Sequence, residues 1–224
     1  MNLLAIDTST ERASLALTVN GQVHQVGAGE QRKHAQWLLP AIDQLLCEAN
    51  VSLNQLDGIA FNRGPGSFTG LRIACSVAKG LAFACDLPLY PISSLAVIAN
   101  ELLHHQPNLF IEHDLLTLID ARMQQVYWAC YQHTSLEALE RVSDLSAVIV
   151  NSDKKLIVAG VAFEQYLSQL SPQMAARIVA QHALYPNAAA MLRLVINGEV
   201  KPVSAENAMP VYIRDKVTQG EKRG

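Results

Sequence analysis

Two aspartates have the type and position to do chemistry. Asp7 ends the apolar run Leu3-Leu4-Ala5-Ile6, and Asp120 ends Leu115-Leu116-Thr117-Leu118-Ile119. Carboxylates at two strand ends can hold a Mg²⁺–phosphate unit from opposite sides of a cleft. Equally, each can cap the polar turn that follows it. A second candidate is Arg63-Gly64-Pro65-Gly66-Ser67-Phe68-Thr69-Gly70, which is rich in glycine and opens a helix. Backbone N–H groups in such a loop can cradle an anion. The run lacks the Gly-x4-Gly-Lys-Ser/Thr spacing, however, and Pro65 removes a donor, so a structural turn is the favoured reading.

Other chemistries find no residues to carry them. After Gly80 the glycines are isolated (Gly160, Gly198, Gly220, Gly224), so the second half has no loop for a phosphate or adenosine. The seven histidines form neither H-E-x-x-H nor H-x-x-x-H. A Gly-x-Ser-x-Gly elbow does not occur, and Cys47, Cys75, Cys85 and Cys130 show no C-x-x-C spacing. No catalytic set, metal or cofactor is expected.

These residues sit in a chain of 224, half of them hydrophobic, which excludes a disordered protein. Seventeen Lys and Arg against 20 Asp and Glu leave a net charge of −3. Tight independent binding of nucleic acid needs a basic stripe; here Lys and Arg are thinly scattered, in clusters no larger than a pair such as Lys222-Arg223. Charged residues make up 17%, below the roughly 25% of ordinary soluble domains, as though part of the surface were normally covered. The N-terminus lacks a basic leader, and no run of 18 uncharged apolar residues occurs. A reduced, cytoplasmic protein with no membrane association is the expectation.

The pattern predicts strands at 3–7, 13–19 and 22–27, with Asn20-Gly21 as a hairpin turn. Helices follow over 34–50 and 68–85, the second capped by Ser67, with a strand at 58–61 between them. A short extended piece lies between Pro88 and Pro91, and a third helix runs from Ser93-Ser94 to about His105. Strand, Asp and polar turn then recur at 115–131, with six residues from Asp7 to Ala13 and from Asp120 to Val126. Strands at 155–159 and 177–180, a helix from Gly160 to about Leu170 and another at 187–196 complete the chain. This is an α/β protein of two related halves with mixed sheets, residues 1–105 and 106–224.

The first two helices are too apolar for one layer. The apolar residues of 35–49 span roughly 200° of the wheel, where a helix on one sheet needs about 100°. Between Phe68 and Cys85 the only charges are Arg72 and Lys79, on one narrow stripe. Something must cover the remainder: a partner packing as a four-helix bundle, or this chain's own second half.

Four segments carry a resemblance over nearly the whole chain. They are Leu4-Ala5-Ile6-Asp7-Thr8-Ser9-Thr10, Arg63 to Arg72, Ile119-Asp120-Ala121-Arg122-Met123 with Val126-Tyr127, and Pro210-Val211-Tyr212-Ile213-Arg214. Together they resemble the bacterial TsaB (YeaZ) family. The resemblance implies an actin-like (ASKHA, ribonuclease H-like) fold of two lobes with five-stranded mixed sheets flanked by helices. It implies a non-catalytic subunit of the complex that adds threonylcarbamoyl to adenosine 37 of ANN-reading tRNAs. The partner would be TsaD, met through the first two helices, with TsaE reached through the complex, tRNA touched only indirectly, and a homodimer when alone. TsaD holds a metal through two histidines four residues apart; Ser94 and Ile98 stand there in this chain, and Ile has no donor atom.

The expected interface is Trp37, Leu38, Ala41, Ile42 and Leu45 with Phe68, Ile73, Ala74, Val77 and Leu81. Asp7, Gly64, Gly66, Ser67, Asp120 and Arg122 are expected at the cleft, and the terminal segment packs back on the first lobe. The alternative is an ATP-dependent phosphotransferase or metallopeptidase of the same fold, with Asp7 and Asp120 at its centre.

Overall fold

Leu3–Asp7 forms β1, buried along its whole length because it lies mid-sheet. It pairs antiparallel with β2 (Arg12–Val19) and parallel with β4 (Gly58–Gly64). Asn20-Gly21, both at positive φ, turns β2 into β3 (Gln22–Glu30), as the two-residue hairpin signal requires. With β5 (Leu89–Ser93) the order is β3-β2-β1-β4-β5. The computed structural model describes residues 1–30, 34–132, 136 and 138–214; the basic pair Lys222-Arg223 lies outside them.

The second sheet repeats the first. Its strands are β6 (His113–Asp120), β7 (Gln125–Tyr131), β8 (Arg141–Asp144), β9 (Lys155–Val161) and β10 (Ile178–Ala183). Their order, β10-β9-β6-β7-β8, puts β6 where β1 stands in the first sheet. Again the first strand pairs antiparallel with its hairpin partner and parallel with the later strand. Asp7 and Asp120 thus occupy equivalent strand ends, opposite Ser14 and Val126.

Helix α1 (His34–Glu48) and α2 (Phe68–Cys85) cover one face of the first sheet. Ser67 caps α2 by accepting from the Gly70 N–H. By length and composition Phe68–Cys85 would pass for a membrane span, but its inner residues Leu71, Ala74, Cys75, Ala78 and Ala82 are buried in the protein. The other helices cross between halves. Helix α3 (Ser94–His105) sends Leu95, Ile98 and Leu102 into the core beneath the second sheet, joined by Phe110 of the short α4 (Leu109–Glu112). Helix α6 (Ala188–Ile196), from the far end of the chain, lays Met191, Leu192 and Val195 on the first sheet. An Arg193 fork to Asn100 and Glu101 ties α6 to α3.

The helix expected from Gly160 to Leu170 does not form. Gly160 stays in β9, its α-carbon pressed so close to the Leu118 carbonyl that no Cβ fits. A 3₁₀ turn at Glu164–Gln169 and the one-turn α5 (Pro172–Ala175), capped by Ser171, follow instead. Strand β8 and helix α4 are too short to leave a periodic signature.

Candidate functional site

The four sequence segments singled out above meet at one place. Between the lobes lies a cleft of about 1230 Å³, lined by Ser9 to Glu11, Pro65 to Leu71, Asp120 to Met123 and Val211 to Arg214. Gly66, Ser67, Asp120 and Arg122 are among its walls. Asp7 and Gly64 stand behind the wall rather than in it. Gly64 is buried beneath the Val211 carbonyl and Leu71. Asp7 is fully buried under the turn it caps, with Oδ1 accepting the Ser9 N–H at 2.9 Å.

That burial decides the state of Asp7. Its Oδ2 has no hydrogen-bond partner among the described residues, and loss of hydration pushes its carboxyl above the usual carboxylate range, against the pull of the Ser9 N–H. Asp120 differs. Its Oδ1 accepts the Arg122 N–H (2.7 Å) and the Tyr166 hydroxyl (2.8 Å), and Oδ2 lies 3.3 Å from the Arg122 guanidinium. One carboxyl is sealed away and the other is taken up by its own turn. They do not offer converging oxygens to a cation, and the capping reading holds for both.

A stability prediction follows for Asp7. Between the ordinary carboxyl pKa and the raised folded one, the native state holds a proton that the unfolded chain has lost, so stability falls as pH rises through that window. Asp7→Asn keeps the Ser9 contact without a charge. Its melting temperature should exceed that of the wild type at pH 7–8, and the gap should close near pH 4. Thermal melts across that range check it; a variant less stable than wild type at pH 7 contradicts the assignment.

The glycine-rich loop is built for close packing. A Cβ at Gly66 would strike the Ser9 carbonyl, and one at Gly70 the Thr8 carbonyl. The Ser67 N–H donates to the Ser9 carbonyl at 2.7 Å, the Gly64 N–H to Asn62 Oδ1 at 3.0 Å, and Thr8 Oγ1 to the Gly70 carbonyl at 2.7 Å. The N–H groups of Gly64, Ser67 and Gly70 are thereby engaged within the chain. Ser94 Oγ donates to Asn62 Oδ1 at 2.6 Å and Ile98 is buried in the core. Neither residue suits a metal.

The helix faces divide differently from the sequence expectation. Leu38, Ala41, Ile42 and Leu45, spaced i, i+3, i+4, i+7, are buried against the first sheet with Ala74. These five belong to the lobe's own core and present nothing to a partner. Trp37, Ile73, Val77 and Leu81 are half-buried at its margin, and Phe68 is 37% exposed. Leu39 (52% exposed) and Phe83 (81% exposed) were not anticipated, yet they are the large apolar side chains that α1 and α2 show most openly.

The two charges of α2 explain which stripe is covered. Residues 203–214, a strap after α6, run along one flank of the helix. Lys79 Nζ donates to the carbonyls of Glu206 and Ala208, and Arg72 Nε to the Tyr212 hydroxyl at 3.1 Å. Ala208 is fully buried beside Cys75. So the chain's own end binds the charged stripe, and the stripe of Thr69, Ile73, Ser76, Val77, Gly80, Phe83 and Ala84 faces outward, with Ile73 and Val77 half-buried and the other five exposed.

Two five-stranded mixed sheets of the same order, with helices shared across a cleft, define a two-lobed α/β protein of the actin-like class. The family model for TsaD, tRNA N6-adenosine threonylcarbamoyltransferase, matches residues 26–145. The tRNA threonylcarbamoyladenosine biosynthesis protein TsaB of Haemophilus influenzae is 36% identical, covering 97% of this chain and 95% of its own. That of Escherichia coli is 32% identical over 97% and 96%. The solved structure of YeaZ from Pseudomonas aeruginosa superposes with a TM-score of 0.81 at 40% identity, covering 94% of this chain and 99% of its own. The chain belongs to the TsaB (YeaZ) family.

Proposed function

We propose that this chain is a non-catalytic subunit in the synthesis of threonylcarbamoyladenosine at position 37 of ANN-reading tRNAs, acting in the cytoplasm. It pairs with its TsaD paralogue through the outer faces of α1 and α2, holds that enzyme in a competent state, and self-associates by the same face when alone. Its two lobes are residues 1–105 and 106–224. TsaE and tRNA meet it through the complex, and it needs no cofactor of its own. The observation that carries this reading is the outward stripe of α2: an 18-residue helix buries one apolar face in the core, turns both its charges to the strap, and still leaves a further stripe, with Phe83 81% exposed, to water. An apolar patch of that kind marks an interaction site. Binding of a native-state ligand there stabilises both partners by mass action.

Co-expression with TsaD, followed by size-exclusion with light scattering, tests the pairing; a complex that forms only with this chain present is expected. A strictly monomeric chain that leaves TsaD unbound overturns it. Calorimetry with ATP and Mg²⁺ tests the rival, since micromolar affinity in the lone chain favours a phosphotransferase.

A further inference from the structure

The segment Pro210-Val211-Tyr212-Ile213-Arg214 has no role in the reading above, and the second lobe has none beyond support. The geometry joins the two. Leading up to that segment, Val203 pairs with Leu89 on the edge of the first sheet, and Ala208 is buried against α2. From Met209 onward the strap has neither helix nor strand to hold it. It is fixed by the Val211 N–H on the Arg63 carbonyl (2.7 Å) and by Arg214, whose guanidinium reaches Gln125 Oε1 at 2.6 Å and Met123 Sδ at 3.4 Å. Met123 and Gln125 belong to the β6–β7 turn of the second lobe. Arg63, in turn, forks onto Glu140 of that lobe at 2.9 and 3.3 Å.

Between those anchors Tyr212 meets α2. Its ring centre lies 5.1 Å from that of Phe68, and the Arg72 guanidinium stacks 3.8 Å from the Phe68 centre. Phe68 and Tyr212 are 37% and 43% exposed, and Met209, three positions before Tyr212 in the strap, is 64% exposed. Both rings share the cleft wall with Thr69 and Ile73, so they adjoin the outward stripe of α2. Aromatic and Arg side chains of this kind dominate binding energy at interfaces.

We propose that residues 209–214 are the third element of the docking surface, with Met209 and Tyr212 touching the TsaD paralogue. Arg214 is a positioning residue that sets the strap from the second lobe without touching the partner. This rests on the pairing proposed above and adds what the second lobe contributes to it. A lobe without chemistry of its own holds the aromatic end of the interface in place.

The test is titration of purified TsaD paralogue into wild type, Phe83→Glu, Met209→Glu, Tyr212→Ala, Arg214→Ala and Arg214→Lys. Met209→Glu and Tyr212→Ala should each weaken binding about 10- to 100-fold. Arg214→Ala should weaken it several-fold and speed amide exchange at Val211 and over Phe68–Arg72 in the free chain, with an unchanged denaturant midpoint. Arg214→Lys should recover part of the affinity, having a charge but no fork. Wild-type affinity in Met209→Glu and Tyr212→Ala, beside lost binding in Phe83→Glu, overturns the strap's role and leaves the pairing intact. If the wild-type chain does not bind, the pairing falls and the strap's role with it.

Discussion

Phe83→Glu is expected to abolish association with the partner while leaving the isolated chain as stable as before. Phe83 is 81% exposed on the last turns of α2, so its substitution removes little packing from the free chain. In a complex the same position is desolvated, and an unpaired carboxylate there costs about 3–5 kcal/mol. A micromolar pairing is worth roughly 8 kcal/mol, so the dissociation constant should rise by about two to four orders of magnitude. Light scattering of the mixture and a thermal melt of the lone variant check both halves. Unchanged association would remove the outward stripe from the interface. Leu38→Glu makes the contrasting control. Leu38 is wholly buried in the first-lobe core, so its substitution should unfold the chain and say nothing about pairing.

That contrast shows where the sequence was legible. Apolar arcs wider than one sheet can cover were visible on both helices, and so was the need for something across them. Which residues face inward was also encoded: 38, 41, 42 and 45 make the tight i, i+3, i+4, i+7 stripe that a sheet takes first. The expected interface took in that stripe and left out Leu39 and Phe83. Arg72 and Lys79 were legible as one narrow charged stripe, but what that stripe meets was not. In fact it meets carbonyls and a tyrosine hydroxyl from residues more than 120 positions later, a long-range pairing that periodicity cannot register. The duplicated strand–Asp–turn was legible because each half must repeat the same local pattern to build the same sheet. The exchange of α3 and α6 between halves was not, since a buried helix looks alike whichever sheet it lies on.

The glycines of α2 give the second large effect, with opposite signs at two positions. Gly→Ala inside a helix ordinarily gains about 1 kcal/mol. At Gly70 that gain is overwhelmed. An added methyl would overlap the Thr8 carbonyl, and the Thr8 hydroxyl is itself bonded to the Gly70 carbonyl, so the β1–β2 turn cannot retreat without losing that bond. Overpacking of this kind costs about 3 kcal/mol. In a chain of this size the melting temperature should fall by roughly 6–12 °C. At Gly80 nothing lies within 4 Å of the new methyl, so Gly80→Ala should raise the melting temperature by roughly 2–4 °C. Yet Gly80 lies on the outward stripe, where a small residue lets another helix come close. The variant that stabilises the free chain should therefore bind its partner more weakly, and the two measurements must move in opposite directions. A Gly80→Ala chain that gains stability and pairs as tightly as wild type would mean that the partner keeps its distance from the middle of α2.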